Sequence, residues 1–267
     1  MPSQKETGFN PENISNIPRL REAIKEISKE HGLVILISGG VGTGTTTLTE
    51  SIGKALKLTF HTINNRGAKF RHDTEKPVVG FVPRDPNADR EFDKRTKRSI
   101  SRTKPGQIKI IEARLATFLA VKGQESALAE GKNYPDIFAI LIHADEKDKV
   151  ARAFPRDSKL YPDLQLTAEM EKVYISQRED GDMNIFRLAH PGELEGILPW
   201  SPNDEWARKH HDLILNSSAC NPTQEVISAF EGIVKKFANK EDPQAQAQAQ
   251  AQIPPQGDIF KQDHAAA

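Results

Sequence analysis

Apolar positions along the chain fall into two patterns. Residues 33–37 (LVILI), 108–111 (IKII), 137–142 (IFAILI) and 213–215 (LIL) are short, mostly apolar runs of strand length. Runs of this kind suit strands buried on both faces of a sheet. Elsewhere the apolar residues recur at helical spacing. Residues 18–30 place Leu20, Ala23, Ile24 and Ile27 on one face, and His31-Gly32 ends the pattern. Residues 222–237 carry Val226, Ile227, Phe230, Ile233, Val234 and Phe237 in a single stripe. Asn221 is positioned as N-cap of that helix, with Pro222 at its first turn and Gln224 placed to return a hydrogen bond.

Strands alternating with helices at this spacing predict an α/β domain with a mostly parallel central sheet. Residues 1–30 read as an N-terminal extension with a short amphipathic helix, and residues 31–240 as the domain proper. From Pro243 the chain alternates Gln and Ala and lacks the apolar residues that offset the entropy of ordering, so 241–267 is expected to be a disordered tail.

Composition narrows the class. The 267 residues are 37% apolar and 28% charged, which fits one domain of generous size with appendages. No stretch reaches the roughly 18 consecutive apolar residues of a membrane span, and the N-terminus lacks the layout of a signal peptide. A cytoplasmic protein without a membrane partner is the expectation. The single cysteine, Cys220, excludes an internal disulfide and a Cys-based zinc site.

The formal net charge is zero, yet the charges are segregated. Between Lys94 and Lys109 there are seven basic residues and no acidic one, whereas between Asp163 and Glu205 ten acidic residues face three basic ones. The basic run has no interleaved aromatics, so a solvated helix face is preferred to a nucleic-acid partner.

The strongest chemical signal is ISGGVGTGTTTLTESIGKAL, directly after the first apolar run. Gly39, Gly44 and Thr46 match the first Gly, second Gly and final Ser/Thr of G-x-x-x-x-G-K-[ST]. The glycines let successive backbone N–H groups turn inward, and the helix that follows adds its N-terminal partial positive charge. The expected phosphate-binding set is Gly39, Gly40, Gly42, Thr43, Gly44, Thr45, Thr46 and Thr47, with Thr46 as hydroxyl ligand of Mg²⁺. Leu48, Ile52, Ala55 and Leu56 supply the face that docks the helix. A dinucleotide fingerprint is ruled out because Thr45 stands where its third glycine belongs. Thr45 also replaces the motif's lysine, so either the missing charge comes from arginines elsewhere in the chain or activity is low.

Read with later segments, this loop resembles that of the cytidylate kinase-like branch of the nucleoside monophosphate kinases. Archaeal-type members commonly carry Gly-Thr-Thr, as Gly44-Thr45-Thr46 stands here. Gly67-Ala68-Lys69-Phe70-Arg71 is similar to the family's monophosphate-binding element, and IIEARLATFLA (110–120) to its strand ending in Glu-Gly-Arg-Leu-Ala, with Ala113 for the glycine. DEKDKVARAFPRD resembles the arginine-bearing lid, and QREDGDMNIFR the segment after it.

The resemblance implies a P-loop NTPase three-layer sandwich with NMP-binding and lid insertions, using ATP and Mg²⁺ on small-molecule nucleotides. It implies Arg71, Glu112 and Arg114 at the acceptor nucleotide, and Arg152, Arg156 and Arg178 closing over the transferring phosphoryl group. The family's second arginine after the lid falls on Ile185, with Arg187 the nearest cation. The stretches 121–135 and 191–210 read as insertions.

The function expected is ATP-dependent phosphoryl transfer to a nucleoside monophosphate, CMP or dCMP first. The alternatives are a weak or inactive nucleotide-binding protein of the same fold and a kinase for another small acceptor. His210-His211-Asp212 does not read as a metal pair, because neighbours on a strand point to opposite faces. Trp200 and Trp206 read as loop anchors.

Overall fold

A computed structural model describes residue 11 and residues 14–58 and 86–238. The Gly67–Arg71 element and the tail at 241–267 therefore lie outside the described residues. Leu33–Gly39 (β1), Ile108–Glu112 (β2), Asp136–His143 (β3) and Leu213–Asn216 (β4) form one sheet. Its order is β2-β1-β3-β4, and every pairing is parallel. The helices are α1 (Ile17–His31), α2 (Thr45–Leu56), α3 (Pro86–Ser101), α4 (Ala116–Ala129), α5 (Glu146–Leu160), α6 (Ala168–Ala189), α7 (Glu205–His210) and α8 (Pro222–Ala238).

The strands sort their side chains by alternation, which is what makes three layers. Leu33, Ile35 and Ile37 of β1 and Phe138, Ile140 and Ile142 of β3 pack with α1, α2 and α8. Val34 and Leu36 turn to the opposite face, against Ile100 of α3 and Ala116 and Ala120 of α4. All seven residues of β1 are buried, as expected of a central strand covered on both sides. Each of its fully buried Leu and Ile side chains contributes about 2 kcal/mol by removal from water.

Helix α1 is built into the first of these layers, with Ile17 and Ile24 fully buried among α8 and α2 residues. The face expected for α2 is the one that docks: Leu48, Ile52, Ala55 and Leu56 are all buried. At the start of α8 the reciprocal cap forms. Gln224 N donates to Asn221 Oδ1 and Asn221 N donates to Gln224 Oε1, each at 3.0 Å.

A second core, on the α4 face, joins Leu115, Phe118 and Leu119 to Leu141, to Met183 and Phe186 of α6, and to Leu194 and Trp200. Residues 191–210 are thus folded onto the domain rather than looped away from it. Trp200 meets Phe186 edge-on at 5.6 Å. Among the described residues no helix is long and apolar enough to cross a membrane.

Parallel pairing brings the C-terminal ends of all four strands to one edge, the edge at which open α/β sheets bind ligands. The glycine-rich loop leaves β1 there, with Glu112 at the end of β2 beside it.

Candidate functional site

Four constraints shape the turn after β1. A Cβ on Gly39 would lie 2.5 Å from Ile142 O of the neighbouring strand, so no larger residue fits. Gly42 and Gly44 adopt φ of +72° and +96°, the left-handed region that side chains avoid. Val41, just before them, buries its side chain with Val150 and Ala153 of α5 and Ile175 of α6, anchoring the loop to both helices. Thr43 is buried and donates from Oγ1 to Gly40 O at 3.0 Å, closing the turn on itself.

Helix α2 begins at Thr45 with Gly44 as N-cap, and no side chain caps it. Its first intrahelical bond runs from Leu48 N to Gly44 O, so the amides of Thr45, Thr46 and Thr47 precede the ladder. The loop and first turn therefore present backbone donors and two threonine hydroxyls at the sheet edge.

Glu112 is set by register. Ile37 of β1 pairs with Glu112, and Ala113 N donates to Ile37 O at 3.2 Å. This brings the carboxylate to the start of α2, where Thr45 Oγ1 and Thr46 Oγ1 both donate to Glu112 Oε1, at 2.7 and 2.8 Å. Burial pushes the Glu112 carboxyl above its ordinary pKa and the charge of Glu50 adds to this, while the threonine hydroxyls oppose it. The donors gathered here are hard oxygens, a hydroxyl and a carboxylate, which suit Mg²⁺ held chiefly by phosphate and water. Among the described residues no group of three or more His, Cys, Asp or Glu is placed to hold a metal ion by itself.

Each described arginine named from the sequence has partners within the protein. Arg152 does meet the loop, but on its carbonyl side. Its Nη1 donates to Thr43 O at 3.3 Å and to Ser217 Oγ at 2.7 Å, and Nη2 donates to Ser217 O at 2.8 Å. Ser217 Oγ in turn lies 2.8 Å from Thr43 O, so the guanidinium and the serine brace the loop against the turn after β4.

Arg156 binds its neighbour Asp157 through two nitrogens, at 2.5 and 2.8 Å, and Arg178 reaches the same carboxylate at 4.0 Å. The structure therefore brings Arg156 and Arg178 together around a buried acid between α5 and α6. Beside them Glu171 is buried, and burial with the charge of Asp157 raises its pKa. Arg114 leaves the end of β2 and forms an ion pair with Asp182 of α6, its guanidinium 5.5 Å from the Trp200 ring centre. Ile185 is buried and Arg187 exposed in the last turn of α6. Arg71 lies outside the described residues.

Two contributors escaped the sequence reading. Glu179 of α6 lies over the loop, where its Oε1 accepts from Val41 N at 3.2 Å and from Lys149 Nζ of α5 at 3.2 Å. A Cβ on Gly42 would fall 2.8 Å from Lys149 O, so α5 and the loop are in backbone contact. The available signal was modest: Lys149 and Arg152 share one face of the helix that follows the strand next to β1.

His211 and His190 hold packed elements together. His211 is buried, and its Nδ1 lies 2.8 Å from Ala207 O, which can only accept; Nε2 therefore accepts from Thr117 Oγ1 at 2.9 Å. Burial lowers the His211 pKa, so the ring is neutral. His190 pairs with Asp93 at 2.7 Å, both buried, which ties α6 to α3. Within the basic run, Arg95, Arg98 and Arg102 are exposed along α3 and after it.

Compared with known proteins, the chain matches no protein-family model and no curated protein.

Proposed function

We propose that the chain binds the phosphates of a nucleoside triphosphate in the glycine-rich loop and transfers the terminal phosphoryl group to a nucleoside monophosphate, CMP or dCMP first. On this reading the domain is a P-loop NTPase sandwich and α5–α6 its lid side. The carrying observation is the meeting of Thr45 and Thr46 with Glu112: a strand, a glycine turn and a helix start, with a carboxylate supplied by the adjacent parallel strand.

The backbone amides from Gly40 to Thr47 and the N-terminus of α2 would hold phosphate oxygens by hydrogen bonds and partial positive charge. Thr46 Oγ1 and Glu112 would hold Mg²⁺, directly or through its waters. When bound, that ion neutralises phosphate charge as it develops during transfer. Arg114, at the same sheet edge, would bind the acceptor phosphate by exchanging the Asp182 carboxylate for it. A planar guanidinium suits either anion. No general base is required when the nucleophile is itself a phosphate oxygen.

A second reading, a nucleotide-binding protein with little or no transferase activity, draws on the arginines. Arg152 is bound to Ser217 and loop carbonyls, and Arg156 to Asp157, so the lid cations are engaged within the protein. The purified protein assayed with ATP, Mg²⁺ and each nucleoside monophosphate separates the two. Transfer to CMP or dCMP supports the first reading. ATP binding with no transfer to any monophosphate sinks it and leaves the second, and the lack of any ATP binding removes both.

A further inference from the structure

The loop lacks its motif lysine, and Thr45 is committed to Glu112. A polyphosphate bound there still needs a cation close to its outer oxygens. Arg152 approaches the loop from the carbonyl side, where its guanidinium is held by Thr43 O and Ser217. Lys149 is placed differently. Its backbone packs on Gly42, and its Nζ lies 3.5 Å from where a Cβ on Gly40 would stand. One helical turn before Arg152, its ammonium converges with the Val41 amide on the same Glu179 oxygen.

Glu179 supports the same assignment. One carboxylate oxygen accepts both from a loop amide, Val41 N, and from Lys149 Nζ. An anionic oxygen held jointly by a loop N–H and an ammonium is the arrangement a phosphate oxygen would take. Lys149 and Glu179 also line a cavity of about 290 Å³ between α5 and α6, with Lys172 and Ser176 on its wall. The carboxylate has space into which to withdraw.

We propose that Lys149 supplies the cation that Thr45 omits, and that Glu179 occupies the place of a phosphate oxygen on the loop until a polyphosphate displaces it. This rests on the reading of the loop as a nucleotide phosphate site. The displacement is favoured because a triphosphate carries more charge than one carboxylate and brings several oxygens to the remaining amides. Lys149 then exchanges one anion for another, and Val41 N keeps an acceptor in both states.

The test is calorimetric titration of the full chain with Mg·ATP and, separately, with magnesium tripolyphosphate, for the wild type, Lys149→Gln, Lys149→Arg and Glu179→Gln. Thermal melts of the unliganded proteins check folding. Lys149→Gln should weaken both ligands by about 10- to 100-fold, the range expected for loss of a charge-assisted hydrogen bond. Lys149→Arg should restore most of that. Glu179→Gln should bind both ligands tighter, by roughly threefold to tenfold, because a charged competitor is gone.

The opposite signs are the diagnostic feature. An ion pair that merely ties α5 to α6 would weaken binding in both variants, and that result overturns the proposal. Unchanged affinity in Lys149→Gln overturns it as well. Failure of the wild type to bind either ligand refutes the nucleotide reading itself, which the variants' results would not do.

Discussion

Arg152 Nη1 donates to Ser217 Oγ at 2.7 Å, joining two segments 65 residues apart that flank the glycine-rich loop. The same guanidinium reaches Thr43 O, so it braces the loop's carbonyl side. Arg152→Ala should therefore lower stability by about 1–2 kcal/mol and loosen ATP binding several-fold. Lysine cannot reproduce the fork and should restore less than half of either effect. A cycle with Ser217→Ala, read by urea unfolding, should show the two losses to be non-additive.

Gly42 is constrained twice, by φ of +72° and by the 2.8 Å approach of a Cβ to Lys149 O. Because that neighbour is backbone, it cannot rotate aside. Gly42→Ala should cost about 2 kcal/mol or more, from left-handed strain and overpacking together. The measurement is the urea midpoint; a midpoint equal to wild type would show that the turn adopts another conformation.

Glu112 accepts from both threonine hydroxyls, and glutamine keeps an acceptor oxygen while removing the charge. Glu112→Gln should leave ATP affinity in EDTA unchanged or improved. The gain in affinity on adding Mg²⁺ should fall about tenfold, the loss expected when one charged group leaves the cation's surroundings. Titrations with and without the metal give the ratio directly.

Glu225, in the first turn of α8, is buried, and burial raises its pKa from 4.5 to about 7, with Arg152 opposing. A carboxyl that holds its proton more tightly when folded makes a contribution that is complete below pH 4.5 and lost as pH rises through about 7. Glu225→Gln should therefore be the more stable protein in alkali. Its advantage over wild type should grow by about 2 kcal/mol between about pH 5.5 and about pH 8, measured by urea unfolding at each pH.

Much of the scaffold was legible before any coordinates. The four apolar runs became the four strands within a residue or two, because only a sheet covered on both faces accommodates such runs. The Asn221–Gln224 cap of α8 and the docking face of α2 follow from spacing alone, since each is local to its own helix. Spacing also placed Gly39, Gly42 and Gly44 at a tight turn. It could not place charges on one another. Asp182, 68 positions beyond Arg114, meets its guanidinium, a pairing that no local spacing encodes. Trp200 anchors its segment in the second core, but nothing in the local sequence encodes the cation resting against its ring.

What the sequence by itself determined is local: a strand, a glycine turn and a helix in succession, with Thr45 where the motif has lysine. Such features depend on neighbours within a few residues, and local sterics with hydrophobic periodicity decide them. Only the tertiary structure decided the charge pattern at the site. Glu112, Lys149 and Glu179 reach one loop because parallel pairing lines up the strand ends and because Val41 draws α5 and α6 onto the turn. Long side chains bind whichever opposite charge packing brings within reach, and no pattern along the chain encodes that distance.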